Sequence, residues 1–137
     1  MDKVTQVGFY VGKVPNKVGE GARILEAVKD AKVNLVGFLG YPKSARIAEV
    51  IFIVDEKAAN LGPIAKKAGV TLDRKQKAFL VTGDDRPGAA AELAGKLAGA
   101  GINVVSLHGL AGGTGKFSAL VCVASADSRK AARVLAK

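Results

Sequence analysis

Hydrophobic positions along this chain change period in an order that occurs twice. Residues 4–14 read as an extended segment rich in Val and aromatic side chains. Ile24, Leu25, Val28 and Ala31 then fall at helical spacing on one face, with Glu20, Arg23, Glu26, Lys29 and Asp30 largely opposite. A second strand is predicted to about Leu39, a third over 48–54 and a short helix over 57–68. Residues 69–72 predict a fourth strand. The order then restarts. Residues 76–82 are extended, and Leu93, Ala94, Leu97 and Ala100 form an apolar helix face. A strand is predicted to about Leu107, another over 117–123 and a helix over 128–136.

Sliding the chain by 69 residues aligns the two halves without a gap from the first strand to the third. Gly19 falls on Gly88, Ala22 on Ala91, Ala31 on Ala100, Asn34 on Asn103, Val36 on Val105, Gly40 on Gly109 and Val54 on Val123. The fold class that follows is α+β: two ferredoxin-like βαββαβ units, over residues 1–73 and 74–137. Each would place two helices on one face of an antiparallel sheet, which buries two apolar surfaces at once. The second unit ends directly after its second helix and so lacks its last strand. In a sheet ordered 4-1-3-2 that omission exposes the edge of strand one, and open edges are sticky.

The turns carry helix-start signals. Pro87 is expected just inside a helix start, where its missing N–H costs nothing. Asp85 is expected to cap the free amides. Gly101 is a natural helix terminator. Asp84 and Asp85 could form an acid/base couple, but adjacent side chains in a turn rarely converge and no nucleophile accompanies them, so capping is the better reading.

Composition narrows the field. Hydrophobic residues make up 49% and aromatics 5%, with no Trp, so small aliphatic side chains must fill the core. The net charge of +9 raises the question of nucleic acid. The excess is spread, 13 Lys/Arg against 8 Asp/Glu in residues 1–75 and 8 against 4 in 76–137, with no basic tail. The lone Cys122 lies in an apolar run and is expected to be a buried small hydrophobe. No Cys/His cluster has metal-ligand spacing. Residues 112–116, Gly-Gly-Thr-Gly-Lys, resemble a phosphate loop but fail on Leu110, on Phe117 and on their strand-to-strand context, which predicts a flexible hairpin. His108, the only histidine, is expected to be a surface or satisfied side chain. No segment has signal-peptide layout or the roughly 18 apolar residues of a membrane span, and a soluble cytoplasmic protein is the default expectation.

The phrase Asp84-Asp85-Arg86-Pro87-Gly88, followed by an Ala-rich helix and by Gly101-Ile102-Asn103-Val104, resembles the ACT-domain family. The resemblance covers nearly the whole chain in two copies. It is close in the second and loose in the first, where Asn16-Lys17-Val18-Gly19 stands in for Asp85-Arg86-Pro87-Gly88. It implies regulatory binding of an amino acid between paired domains, with no catalysis and no cofactor. The site residues it implies are Gly83, Asp84, Asp85, Arg86, Pro87, Gly88 and Asn103 in the second copy. In the first they are Val14, Asn16, Lys17, Gly19 and Asn34. Helix-start amides would suit a ligand carboxylate, and Asp85 or an Asn oxygen its ammonium. Units of this size are marginal alone, so pairing within the chain or in a homodimer is expected.

The leading expectation is therefore a non-catalytic regulator that senses a small amino-acid-like ligand and acts on an enzyme or another protein. The alternative is a nucleic-acid-binding ferredoxin-like module. It has the charge, but Phe9, Tyr10, Phe79 and Phe117 do not form the paired stacking pattern of RNA-binding sheets. An interaction domain with a degenerate pocket is a third reading.

Overall fold

The computed structural model describes residues 2–137. In chain order the elements are β1 (Lys3–Pro15), α1 (Glu20–Asp30), β2 (Gly37–Pro42), β3 (Ile47–Asp55), α2 (Leu61–Lys67), β4 (Gln76–Asp84), α3 (Ala89–Gly99), β5 (Val104–Ala111), β6 (Lys116–Val123) and α4 (Ser128–Leu135). The chain separates into two compact units, Gly8–Gln76 and Met1–Val7 with Lys77–Lys137. The start of the chain, up to Val7, groups with the second half of the sequence.

The unit Gly8–Gln76 has strand order β2-β3-β1. β2 and β3 form an antiparallel hairpin in which Tyr41 faces Glu49 and Gly37 faces Ile53. Its core lies between this sheet and α1 and α2. Ile24 and Val28 of α1, Leu61 and Ala65 of α2, and Tyr10, Val14, Val50, Phe52 and Val54 of the strands are buried together. The helix face expected at Ile24 and Val28 is correct, but Ala31 is exposed and caps the helix instead. α2 is shorter than expected, starting at Leu61 because the Asn60 side chain accepts from Gly62 N–H at 2.9 Å. The expected fourth strand over 69–72 is reduced to one antiparallel bridge, Gly12 to Leu72. Gly12 admits it because a Cβ there would lie 2.6 Å from Leu72 Cδ2.

The other unit has strand order β1-β4-β6-β5. The only part of β1 in this unit is residues 3–7, so these supply the position that the second copy lacks in sequence. Val4 packs on the core formed by Phe79, Val81, Leu93, Leu97, Ile102, Ala119, Val121, Ala131 and Leu135. The edge of β4 is therefore covered by the start of the chain.

Both first helices of the units end identically. Val33 N–H bonds Val28 O and Lys32 N–H bonds Lys29 O; Ile102 N–H bonds Leu97 O and Gly101 N–H bonds Ala98 O. This is the Schellman pattern, closed by a left-handed residue and an apolar contact between the bonded positions. Gly101 takes that conformation at φ 74°, and Lys32 at φ 59°.

Candidate functional site

The loop joining the first strand to the first helix is built alike in both units. Asn16 N–H bonds Arg46 O at 2.7 Å, and Asp85 N–H bonds Gly115 O at 3.0 Å. Donors and acceptors are each 69 residues apart. The loop is thereby tied to the tip of the hairpin that precedes the third strand. Gly19 and Gly88 then turn the chain in the left-handed region, at φ 88° and 84°, and cap their helices without any side-chain bond. Asp85 is therefore not the cap that its position suggested, and Pro87 lies in the turn before the helix. The uncapped first turn leaves amide donors and a positive helix end facing outward.

The loop of the second copy spends its charges internally. Lys116 Nζ donates to Asp84 Oδ1 at 2.8 Å, and Arg86 pairs with Glu92. The Lys116 ammonium holds the Asp84 carboxyl below its usual range, and Arg86 does the same to Glu92. Asp2 lies hard against Gly83, where a Cβ would not fit. The cavity lined by Val81, Gly83, Asp84, Arg86 and Phe117 has a volume of about 20 Å3, room for a water molecule.

The loop of the first copy differs. Asn16 Nδ2 donates to Ser44 O and Ala45 O, at 3.4 and 3.3 Å, so its amide braces the hairpin. The Lys17 ammonium has no hydrogen bond or ion pair among the described residues. A groove of about 240 Å3 opens beside it, floored by Val14, Phe38, Ala48 and Val50 and rimmed by Lys17 and Glu20. Phe38 packs on buried Phe52, with ring centroids 5.2 Å apart. On the hairpin, Tyr41 OH donates to Glu49 Oε1 at 2.6 Å and Lys43 Nζ to Glu49 Oε2 at 3.0 Å. These bonds hold the Glu49 carboxyl below its ordinary value, and the Tyr41 hydroxyl above its own.

Within a unit the predicted residues do not all meet. Asn103 precedes β5 at the end where Val104 pairs with Val123, whereas the 83–88 loop follows the end where Asp84 pairs with Lys116. Asn103 and that loop are at opposite ends of one sheet. Asn34 stands likewise near Val36, whose N–H bonds Ile53 O, far from Asn16 at Arg46. Both asparagines are exposed. The groove residues Phe38, Ala48 and Val50 were not anticipated. Their signal was in the repeat, because Ala48 occupies the position of Phe117.

Other expectations resolve plainly. Cys122 is buried, and burial pushes its thiol pKa up, away from reactivity. Residues 112–115 form a hairpin with Gly113 and Gly115 at positive φ. His108 is half-buried on β5, and its Nδ1 is buried with no partner among the described residues. Among the described residues no group of three or more His, Cys, Asp or Glu could hold a metal ion. No described helix is long and apolar enough to cross a membrane.

No protein-family model matches the chain, and no curated protein matches its sequence. Solved structures do share its fold. A Bacteroides thetaiotaomicron protein superposes with TM-score 0.73 at 17% identity, covering 98% of this chain and 88% of that one. The ligand-free regulatory subunit of aspartate kinase from Thermus thermophilus gives 0.65 at 13%, covering 98% and 93%. Aspartate kinase from Clostridium acetobutylicum, an allosteric enzyme, gives 0.61 at 15%, with this chain spanning 33% of its length. The architecture is thus the tandem ACT-type fold of such regulatory domains.

Proposed function

We propose that this chain is a non-catalytic regulatory protein that binds a small amino acid or related ligand where ACT domains pair, and that it acts on an enzyme. The observation that carries this reading is the duplicated loop. In both units it is tethered to the neighbouring hairpin, turned by a left-handed glycine and followed by a helix whose first turn has no side-chain cap. Such amides favour a carboxylate. The likeness to regulatory subunits and to an allosteric kinase supports the same reading.

A homodimer is part of the proposal. β5 is an outer strand, and Val105, Leu107 and Leu110 are exposed on it. Large exposed apolar side chains grouped on an edge strand mark a surface for association. Asn34 and Asn103 then reach a loop from a neighbouring domain.

A thermal-shift panel of the amino acids and related acids tests the ligand. At least one member should raise the melting temperature at millimolar concentration; no shift by any member defeats the proposal. Asn103→Ala should weaken that ligand by about 1–3 kcal/mol, the cost of stranding a polar partner. Light scattering should give twice the 14.0 kDa chain mass.

A further inference from the structure

The two copies of the loop are not equivalent as binding sites, and one substitution separates them. Five matched positions line the cavity in both units: 14, 15, 17, 20 and 48 in one, and 83, 84, 86, 89 and 117 in the other. At the last of these the side chains are Ala48 and Phe117. The Phe117 ring lies over Gly109, where an added Cβ would be 2.8 Å from its Cε2 and Cζ. Gly40 holds the matching place in the first copy. Ala48 is too short to cover it, and the nearest side chains to a Cβ there are Phe38 and Val50, at 3.6 and 3.9 Å. The space that Phe117 fills is therefore open above Ala48.

Charge separates the copies in the same direction. In the second copy Arg86 and Asp84 are each bound to a partner within the protein. In the first, Lys17 is unpaired among the described residues, and Glu20 binds Arg23 through Oε2 alone, at 2.9 Å. The rim thus offers one cation and one carboxylate oxygen, complementary to the carboxylate and ammonium of a zwitterion. The floor is hydrocarbon, and the volume of about 240 Å3 is below the roughly 300 Å3 at which pockets for drug-sized molecules begin.

We infer that the groove above Ala48 is the working site, that it takes a free amino acid with a compact aliphatic side chain, and that each chain binds one. The aliphatic group lies on Val14, Phe38, Ala48 and Val50, and Lys17 meets the carboxylate. The inference rests on the amino-acid-binding reading above and adds which copy binds and what class of side chain it accepts.

Calorimetry on the full chain, with valine, leucine, isoleucine, aspartate and lysine as probes, tests it. At least one aliphatic probe should bind with a stoichiometry near one per chain, and aspartate and lysine at least tenfold more weakly. Ala48→Phe should abolish that binding, and Lys17→Glu should weaken it at least tenfold. Phe117→Ala should leave the first site's affinity unchanged. Urea midpoints accompany each variant; if Ala48→Phe is unfolded, Ala48→Val must show a partial loss of affinity while folded. Undiminished binding by the folded Ala48 variant overturns the inference and leaves the wider reading intact. So does a preference for a charged probe. Binding of none of the five probes overturns the inference, and the thermal-shift panel then decides the wider reading.

Discussion

At the scale of single residues, the repeat exposes where the sequence works against local geometry. Lys32 holds a left-handed conformation at the position where the other copy has Gly101. A residue with a Cβ is strained there, and glycine is not. Lys32→Gly should therefore stabilise the protein by about 1 kcal/mol, read as a higher urea midpoint at unchanged slope. Glu49 offers a pH-dependent counterpart. Its carboxyl is held below the ordinary value by the Tyr41 hydroxyl and then by Lys43. A depressed folded pKa contributes stability that is complete above the unfolded value of about 4.5 and vanishes as pH falls through the folded one. Tyr41, raised chiefly by the same bond, contributes below its ordinary value near 10, and that contribution is lost as pH rises through the folded pKa. Glu49→Gln should consequently lower the melting temperature at pH 7 and flatten its fall below pH 4.5. An unchanged acid limb would remove Glu49 from the account.

At the scale of elements, strand β1 carries two roles that no periodicity reveals. Residues 3–7 belong to one unit and residues 8–15 to the other. Removing residues 2–7 should bare the edge of β4 and strip Val4 from the core of its unit. The expected result is a lower urea midpoint with concentration-dependent association, measured by denaturation and light scattering. Helix packing is more conventional. Phe52 is fully buried beneath α1 and α2, so Phe52→Ala should cost about 3–5 kcal/mol. Helix ends were legible where Gly101 stood, and obscure at Lys32, because the Schellman bonds accept a strained residue. Helix starts were misjudged. Asp85 looks like a cap by type, but its backbone is committed to Gly115 and the left-handed Gly88 takes the capping position.

At the scale of the whole molecule, the excess positive charge divides almost evenly along the sequence, and two of the four rings weighed for base stacking are buried. Tyr10 and Phe79 are 3% exposed and belong to the two cores. A single-stranded RNA oligomer should accordingly show no saturable binding at about 0.15 M salt in a fluorescence-anisotropy titration, since base stacking needs accessible rings. Tight, salt-dependent binding would favour the nucleic-acid alternative.

The linear order of residues was sufficient for the duplication, the element types and the loop positions. Each of these follows from local periodicity, from glycine and proline placement, and from a constant offset of 69. It also contained the contrast between Ala48 and Phe117, though not its meaning. Three things were decided by the tertiary structure alone. The start of the chain completes the unit at its end, because strand pairing depends on which edges are open and not on nearness in sequence. Asn103 lies across the sheet from its own loop, because antiparallel register sets which ends coincide. The groove floored by Val14, Phe38, Ala48 and Val50 accompanies the diverged loop, and the matching space at the recognisable one is filled, because a cavity is what remains after side chains from three elements have packed, and a single ring over Gly109 is enough to fill it.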